Sequence, residues 1–101
     1  MATSTHWTLL SNHGHVLLVL AREPDLRLRD VATRVGITER AVQRIVRELS
    51  EGNYLEVSKD GRRNHYRLVR DAPLRHAVER GATVGDLLDL IDCTTLLKPP
   101  S

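Results

Sequence analysis

The 101-residue sequence predicts a mainly α-helical protein with one small β-hairpin, an α+β class. Helix caps and apolar residues at helical spacing mark several segments as helices. An Asp-Gly step at Asp60 and Gly61 separates two short strand-like segments. A single domain usually has about 100–200 residues, so this length allows one domain. We therefore expect one domain over residues 1–101, with its core in residues 12–70.

The first predicted helix covers residues 12–22. Ser11 can cap it, and Pro24 follows its end, where a proline cannot continue a helix. Its middle, residues 16–20, is apolar on every face. A helix with one face in water does not need this pattern, so we expect the helix to be covered from two directions. Trp7 is expected to pack as an anchor for this helix.

The next two helices are joined by a tight turn. The second covers residues 29–35 and ends at Gly36, a position that often needs a left-handed backbone. Thr38 is a good cap for a third helix over residues 39–51. The small side chain of Ala32 lets the two helices cross closely. Three apolar residues fill the space between them: Ile37, Val42 and Ile45. This spacing predicts a helix-turn-helix.

The third helix separates its apolar and polar residues. An apolar stripe follows the spacing i, i+3, i+4 and i+7: Val42, Ile45, Val46 and Leu49. The opposite side carries Arg40, Gln43, Arg44, Arg47 and Glu51. Arginine can bind the O6 and N7 atoms of guanine with two hydrogen bonds, and glutamine can do the same for adenine. The pattern therefore predicts a helix that reads double-stranded DNA. The alternative is a solvated helix with ion pairs between residues four apart, such as Arg44 and Glu48.

Positive charge is concentrated in the middle of the chain. Residues 26–70 contain 11 Lys and Arg against 6 Asp and Glu, a net charge of +5. The net charge is −1 over the first 25 residues and −2 over residues 71–101. A basic middle between mildly acidic ends is typical of a face that binds a polyanion.

Residues 54–58 and 64–69 are predicted strands of a hairpin, with a five-residue turn between them. The basic side chains at or beside its tip are Lys59, Arg62, Arg63 and His65. They could reach backbone phosphates or the minor groove. Contacts of this type mainly position a protein on DNA, whereas the sequence is read elsewhere.

Two more helices are predicted after the hairpin. Asp71 can cap a short one that has Pro73 in its first turn. Thr83 can cap the last one, with Asp86 as the acidic partner of a capping box. The last helix has an apolar stripe and two further apolar residues, Leu90 and Leu97, on a second face. The stripe consists of Val84, Leu87, Leu88 and Ile91.

Surplus apolar surface on the first and last helices predicts a homodimer. We expect the two helices to form its symmetric interface, with residues 72–97 as the C-terminal dimerisation segment. The alternative is that both helices complete the core of a monomer.

Residues 31–44 (VATRVGITERAVQR), followed by LSEGNYL at residues 49–55, resemble the winged helix-turn-helix of MarR/ArsR-like regulators of bacteria. The resemblance is close over residues 26–69 and loose in the flanking helices. It implies a transcriptional regulator that binds a pseudo-palindromic operator as a homodimer. By the family's pattern, the residues facing bases and phosphates are Thr38, Arg40, Gln43, Arg44 and Arg47. The wing contact then falls to Arg62 and Arg63.

The sequence departs from that family pattern in two ways. The paired-cysteine motif of ArsR-type metal sensors is absent, and MarR-type proteins are usually longer, with more helix around a ligand pocket. Whether a small-molecule effector binds therefore stays open.

No signature of an enzyme or a cofactor is present. Hydrolase-like Ser/His/Asp sets, phosphate loops and dinucleotide motifs are missing. Four of the five histidines could be combined with Cys93, Asp89 and Asp92 as metal ligands, but their spacing is not diagnostic: His6, His13, His15 and His76. We expect no metal and no cofactor. A metal- or redox-sensing form of the regulator remains an alternative, as does a winged-helix module that binds protein or RNA.

Localisation is expected to be cytoplasmic. Cys93 is the only cysteine, which favours an intracellular setting. No apolar run approaches the roughly 18–20 residues that span a bilayer. The opening residues lack the charged leader and apolar stretch of a secretion signal.

Overall fold

The computed structural model describes the backbone of residues 7–97 and the side chains of residues 7–91. The elements are α1 (Asn12–Arg22), α2 (Leu28–Val35), α3 (Glu39–Glu51), β1 (Leu55–Asp60), β2 (Arg63–Leu68), a short 3₁₀ helix (Ala77–Glu79) and α4 (Val84–Leu97). The two strands pair antiparallel. The predicted class, mainly α-helical with a small hairpin, is confirmed.

The core is built around α1. Val16 and Leu20 are fully buried, and α1 packs against α2, α3 and β2. Its predicted coverage from more than one direction is confirmed. Trp7 lies before the helix and outside the core, and its side chain is 74% exposed. The expectation that Trp7 anchors α1 is therefore wrong.

The turn between α2 and α3 forms as the sequence predicts. Gly36 has a φ of +87°, which an L side chain rarely adopts. Its N–H and that of Ile37 donate to the carbonyl oxygen of Ala32, at 2.8 and 3.1 Å. Thr38 then caps α3, since its Oγ1 accepts a hydrogen bond from the Ala41 N–H at 3.0 Å. The helix-turn-helix is confirmed.

The hairpin has a longer first strand, a second strand shifted by one residue and a shorter turn than predicted. Asp60 pairs with Arg63, which leaves Gly61 and Arg62 as a two-residue turn. Gly61 has a φ of +69°. A glycine in the first position of a two-residue turn gives a twist that matches the strands, so pairing continues to the tip. The predicted five-residue turn is wrong.

The first part of the segment 72–97 is not the helix that the sequence predicts. Before α4, only Ala77–Glu79 is helical, as a single 3₁₀ turn. Pro73 instead forms an isolated antiparallel bridge with Thr83. The Tyr54 hydroxyl donates to the Pro73 carbonyl oxygen at 2.9 Å. The backbone groups that would form the hydrogen bonds of a helix are bonded instead to residues distant in sequence.

The start of α4 is fixed by a capping box and a close backbone contact. Thr83 Oγ1 accepts from the Asp86 N–H at 3.1 Å, and Asp86 Oδ2 accepts from the Thr83 N–H at 3.0 Å. The Gly85 N–H donates to the Arg70 carbonyl oxygen at 2.7 Å. A Cβ at Gly85 would lie 2.9 Å from that oxygen, so glycine is needed there.

Apolar residues of α4 differ in their burial. Val84 and Leu88 are buried in the core, and Leu87 and Ile91 are half-buried. Leu90 is 71% exposed. The side chain of Leu97 lies outside the described residues. Part of the apolar surface of α4 is therefore left uncovered by the described part of the chain.

Candidate nucleic-acid interface

An aliphatic underside fixes α3 in the fold. The four residues of the predicted stripe are all buried, at 0–8% exposure: Val42, Ile45, Val46 and Leu49. The residues on the opposite side are exposed, as predicted: Arg40, Gln43, Arg44 and Arg47. Burial of the stripe sets the rotation of the helix about its axis, so the cationic side points to solvent.

The structure brings five of the predicted site residues together on one surface. An open depression of about 510 Å³ is lined by Ala41 and by Thr38, Arg40, Gln43, Arg44 and Arg47. We call these last five residues the α3 face. It combines hydrogen-bond donors and acceptors with three guanidinium groups, and no carboxylate lines it.

Most cations of the α3 face have no ion-pair partner among the described residues. Arg44 NH1 lies 3.5 Å from Oε1 of Glu48, so this ion pair of the solvated-helix alternative is present. Arg40 and Arg47 form no ion pair with any residue that the structure describes. A hydrogen bond from His13, and then the charge of Arg44, hold the pKa of Glu48 below its usual range. Two of the three guanidinium groups are thus free to bind a ligand.

We call the hairpin the wing. Its four predicted basic residues fall into two groups, and Arg67 of β2 pairs with Glu56. Lys59 and Arg62 are exposed and form no ion pair within the described part of the chain. Arg63 donates to the carbonyl oxygen of Asp25 at 3.2 Å. His65 is half-buried, and its Nδ1 lies 2.6 Å from Oδ1 of Asp25. Only the first group is unengaged.

The wing tip and the start of α3 face the same side of the molecule. A depression of about 340 Å³ lies between them, and both Glu39 of α3 and Arg62 of the wing line it. Arg27 and Arg63 lie along its edges. One extended anion could therefore contact both elements.

Sequence reasoning did not identify the residues that hold the wing in place. Asp25 is 40 residues from His65, and nothing in the local sequence indicates that they meet. The backbone adds a second link, because the Tyr66 N–H donates to the Pro24 carbonyl oxygen at 3.1 Å. The loop between α1 and α2 thus acts as a support for β2.

A larger groove of about 970 Å³ lies between the start of α1, the end of α3 and residues 74–79. Apolar side chains provide much of its lining, including Leu9, Leu17, Leu74 and Leu87. It opens beside the C-terminal half of α3 rather than at the α3 face.

Metal-ligating residues are not clustered in the described part of the protein. Over residues 7–91, no group of three His, Cys, Asp or Glu side chains is placed to hold an ion. The side chains of His6 and Cys93 lie outside the described residues. None of the described helices has the length and hydropathy to cross a membrane.

A helix-turn-helix followed by a basic hairpin, with a cationic helix face turned to solvent, defines the class of winged helix-turn-helix transcriptional regulators, which are not enzymes. The chain belongs to the MarR family, whose model matches residues 7–63. The predicted resemblance to MarR regulators is thereby confirmed.

Solved structures agree with this assignment. The chain is 28% identical to the PcaV transcriptional regulator from Streptomyces coelicolor, with a TM-score of 0.55, covering 84% of this chain and 62% of that one. It therefore spans less than two thirds of the length of PcaV. It is 25% identical to the AntR antimony-specific transcriptional repressor, with a TM-score of 0.57, covering 87% of this chain and 69% of that one.

The fold is also similar to that of IscR from T. potens. The TM-score is 0.59 at 15% identity, and the match covers 100% of this chain and 97% of that one. At this identity the likeness concerns the fold alone. No curated protein matches the chain.

Proposed function

We propose that this protein binds double-stranded DNA as a sequence-specific transcriptional regulator, with α3 in the major groove and the wing on the sugar-phosphate backbone. The observation that carries the proposal is the α3 face, where Arg40, Gln43 and Arg47 are exposed and have no side-chain partner among the described residues. The major groove, about 12 Å wide, admits one helix. Such a regulator acts where the chromosome is, in the cytoplasm of a bacterium.

Side-chain chemistry divides the contacts on α3. Arg44 and Arg47 bind guanine edges with paired hydrogen bonds, and Gln43 binds adenine in the same way. Thr38 and Arg40, at the start of the helix, bind a phosphate, because the N-terminal N–H groups and the helix dipole favour an anion there. Bases are read by the middle of α3 and register is set at its start.

The wing contributes affinity that does not depend on base sequence. Lys59 and Arg62 bind phosphates directly. Arg63 and His65 use one nitrogen each on Asp25, and the remaining N–H groups of Arg63 bind the same stretch of backbone, with His65 beside it. Contacts of this kind position the protein and make binding depend on salt.

Two copies of the chain bind one operator as a homodimer through α1 and α4. The exposed Leu90 and the half-buried Leu87 of α4 support this part of the proposal. Sedimentation at micromolar concentration is expected to give twice the 11.4 kDa mass of one chain. Leu90→Asp should yield the monomer, whereas Val78→Asp, at an apolar residue that is 86% exposed outside both helices, should not. A wild-type protein that sediments as a monomer contradicts the dimer.

DNA binding is tested by selecting duplexes from a random pool with the purified protein, then measuring affinity over a salt series. Replacing Arg44 and Arg47 with Ala should weaken binding to the selected duplex by about tenfold or more. The matched control replaces Arg75 and Arg80, two exposed arginines outside the α3 face and the wing, and removes the same charge.

The outcomes separate two classes of function. Loss of affinity confined to the α3 variant supports the proposal, and equal losses in both double variants contradict the mapping. A wild-type protein that binds no duplex at low salt overturns the proposal and favours a winged-helix module that binds protein.

A further inference from the structure

Glu48 on α3 is shared by two partners. Its Oε1 lies 2.7 Å from Nε2 of His13 on α1 and 3.5 Å from NH1 of Arg44 on the α3 face. The three side chains are each about half exposed, so none of them is needed to fill the core. One carboxylate oxygen contacts both partners. A positive charge gained by one partner therefore offsets the attraction of that oxygen for the other.

Other charged side chains lie near His13 and Glu48 without pairing with them. His13 and Glu48 line the groove of about 970 Å³ between α1, α3 and residues 74–79. The other titratable side chains that line it are Glu51, Arg75, His76 and Glu79. None of these four forms an ion pair with His13 or Glu48. The hydrogen bond from His13, followed by the charge of Arg44, lowers the pKa of Glu48, so its carboxylate stays ionised near neutral pH.

We propose that Glu48 is a positioning residue for Arg44, and that protonation of His13 sets how firmly Glu48 holds the Arg44 guanidinium away from the duplex. The inference rests on the proposed function, in which Arg44 contacts a base. The carboxylate of Glu48 then connects His13 on α1 to Arg44 on α3.

The direction of the effect follows from the charges. Neutral His13 donates one hydrogen bond, and the full charge of Glu48 attracts Arg44. Protonated His13 places a positive charge beside the same oxygen, so the attraction to Arg44 weakens. Arg44 is then free to contact the base, and its contribution to specific binding is larger in acid.

The test measures the contribution of Arg44 at two pH values. The factor by which Arg44→Ala weakens binding to the selected duplex is determined at about pH 5.5 and about pH 8, on either side of histidine titration. In otherwise wild-type protein this factor should be about two- to fivefold larger at the lower pH, the size that an exposed ion pair supports. The same measurement in a His13→Gln background should give a factor independent of pH, because glutamine keeps a neutral donor but cannot be protonated.

Glu48→Gln and Glu51→Gln form a matched pair of controls. Both substitutions remove one negative charge from α3, but Glu51 forms no ion pair with His13 or Arg44. In the Glu48→Gln background the factor for Arg44 should be high at both pH values, and in the Glu51→Gln background it should still change with pH.

Three results overturn the inference: a factor that does not change with pH in wild-type protein, a change that survives His13→Gln, or equal behaviour of the two glutamate variants. Each of them leaves the proposed function standing if wild-type protein binds the duplex. Absence of any DNA binding by the wild-type protein is instead the failure of the proposed function, and it removes the basis of this inference with it.

Discussion

The two elements that carry the cationic surface are held in place by different means. α3 buries four aliphatic side chains, whereas each wing strand buries a single residue, Leu55 in β1 and Tyr66 in β2. On α3, Arg40 and Arg47 are free of internal ion pairs. On the wing, Arg63 and His65 contact Asp25.

This difference shows how fixing an element limits what its surface can bind. A helix anchored by its own apolar stripe keeps the opposite side chains available for a ligand. A two-stranded hairpin has too little core to be stable alone, so polar contacts to a neighbouring loop hold it, and those contacts use side chains that could bind DNA. Under the proposed function, base reading is therefore expected of α3, and positioning on the backbone is expected of the wing.

The largest expected effect comes from a substitution in the buried apolar stripe that anchors α3. Ile45 is 2% exposed, so Ile45→Ala should lower the free energy of unfolding by about 2–5 kcal/mol. Val57→Ala on the wing, where the side chain is 42% exposed, should cost less than about 1 kcal/mol. Urea unfolding followed by circular dichroism measures both. Equal losses would mean that the wing is anchored by apolar burial as well.

The next effect separates base reading from positioning. Arg47→Ala should weaken binding to the selected duplex by about 1–3 kcal/mol and relax the base preference at one position. Arg62→Ala should weaken binding to all duplexes alike and lower the slope of log affinity against log salt by about 1. Titrations of selected and mismatched duplexes at several salt concentrations provide the readout. If Arg62→Ala changes the base preference, the division of roles is wrong.

A smaller effect concerns the cap that starts α3. Thr38→Ala removes the hydrogen bond to the Ala41 N–H and should lower stability by about 0.5–2 kcal/mol, while Thr38→Ser should retain most of it. Thr33→Ala is the control, because its hydroxyl bonds to Arg29 inside α2, where alanine is the better helix former. Thermal unfolding compares the three variants. A stable Thr38→Ala protein would show that tertiary packing alone fixes this helix start.

The smallest effect lies in the loop that supports the wing. A hydrogen bond from Arg34 lowers the pKa of Glu23, with a further contribution from the Arg34 charge. A lowered pKa stabilises the fold above the unfolded value of about 4.3, and this stability is lost as the pH falls through the folded value. The melting temperature of Glu23→Gln should therefore be lower than that of wild type at neutral pH. In strong acid the two melting temperatures should be equal. Glu51→Gln, which breaks no ion pair among the described residues, should show no such convergence.

Local patterns in the sequence determined most of the fold and one half of the candidate site. The bounds of α1 and α3, the left-handed Gly36 and the Thr38 cap depend on residues within about one helical turn of each other. The side on which Arg44 and Arg47 lie follows from the period of 3.6 residues, because burial of one stripe fixes the position of the other. Interactions of this range can be read from neighbouring residues.

Tertiary structure alone decided the rest. Residues before α4 could have formed a helix. Instead, the Tyr54 hydroxyl donates to the Pro73 carbonyl oxygen, and the backbone on either side of Pro73 bonds to Ala82 and Val84. Asp25 holds the wing across 40 residues of sequence, and Glu48 meets His13 across 35. Contacts between residues this far apart exist only after α1, α3 and the hairpin have packed on their shared core. The sequence therefore specifies which side chains point outward, and packing decides which of those remain free to bind.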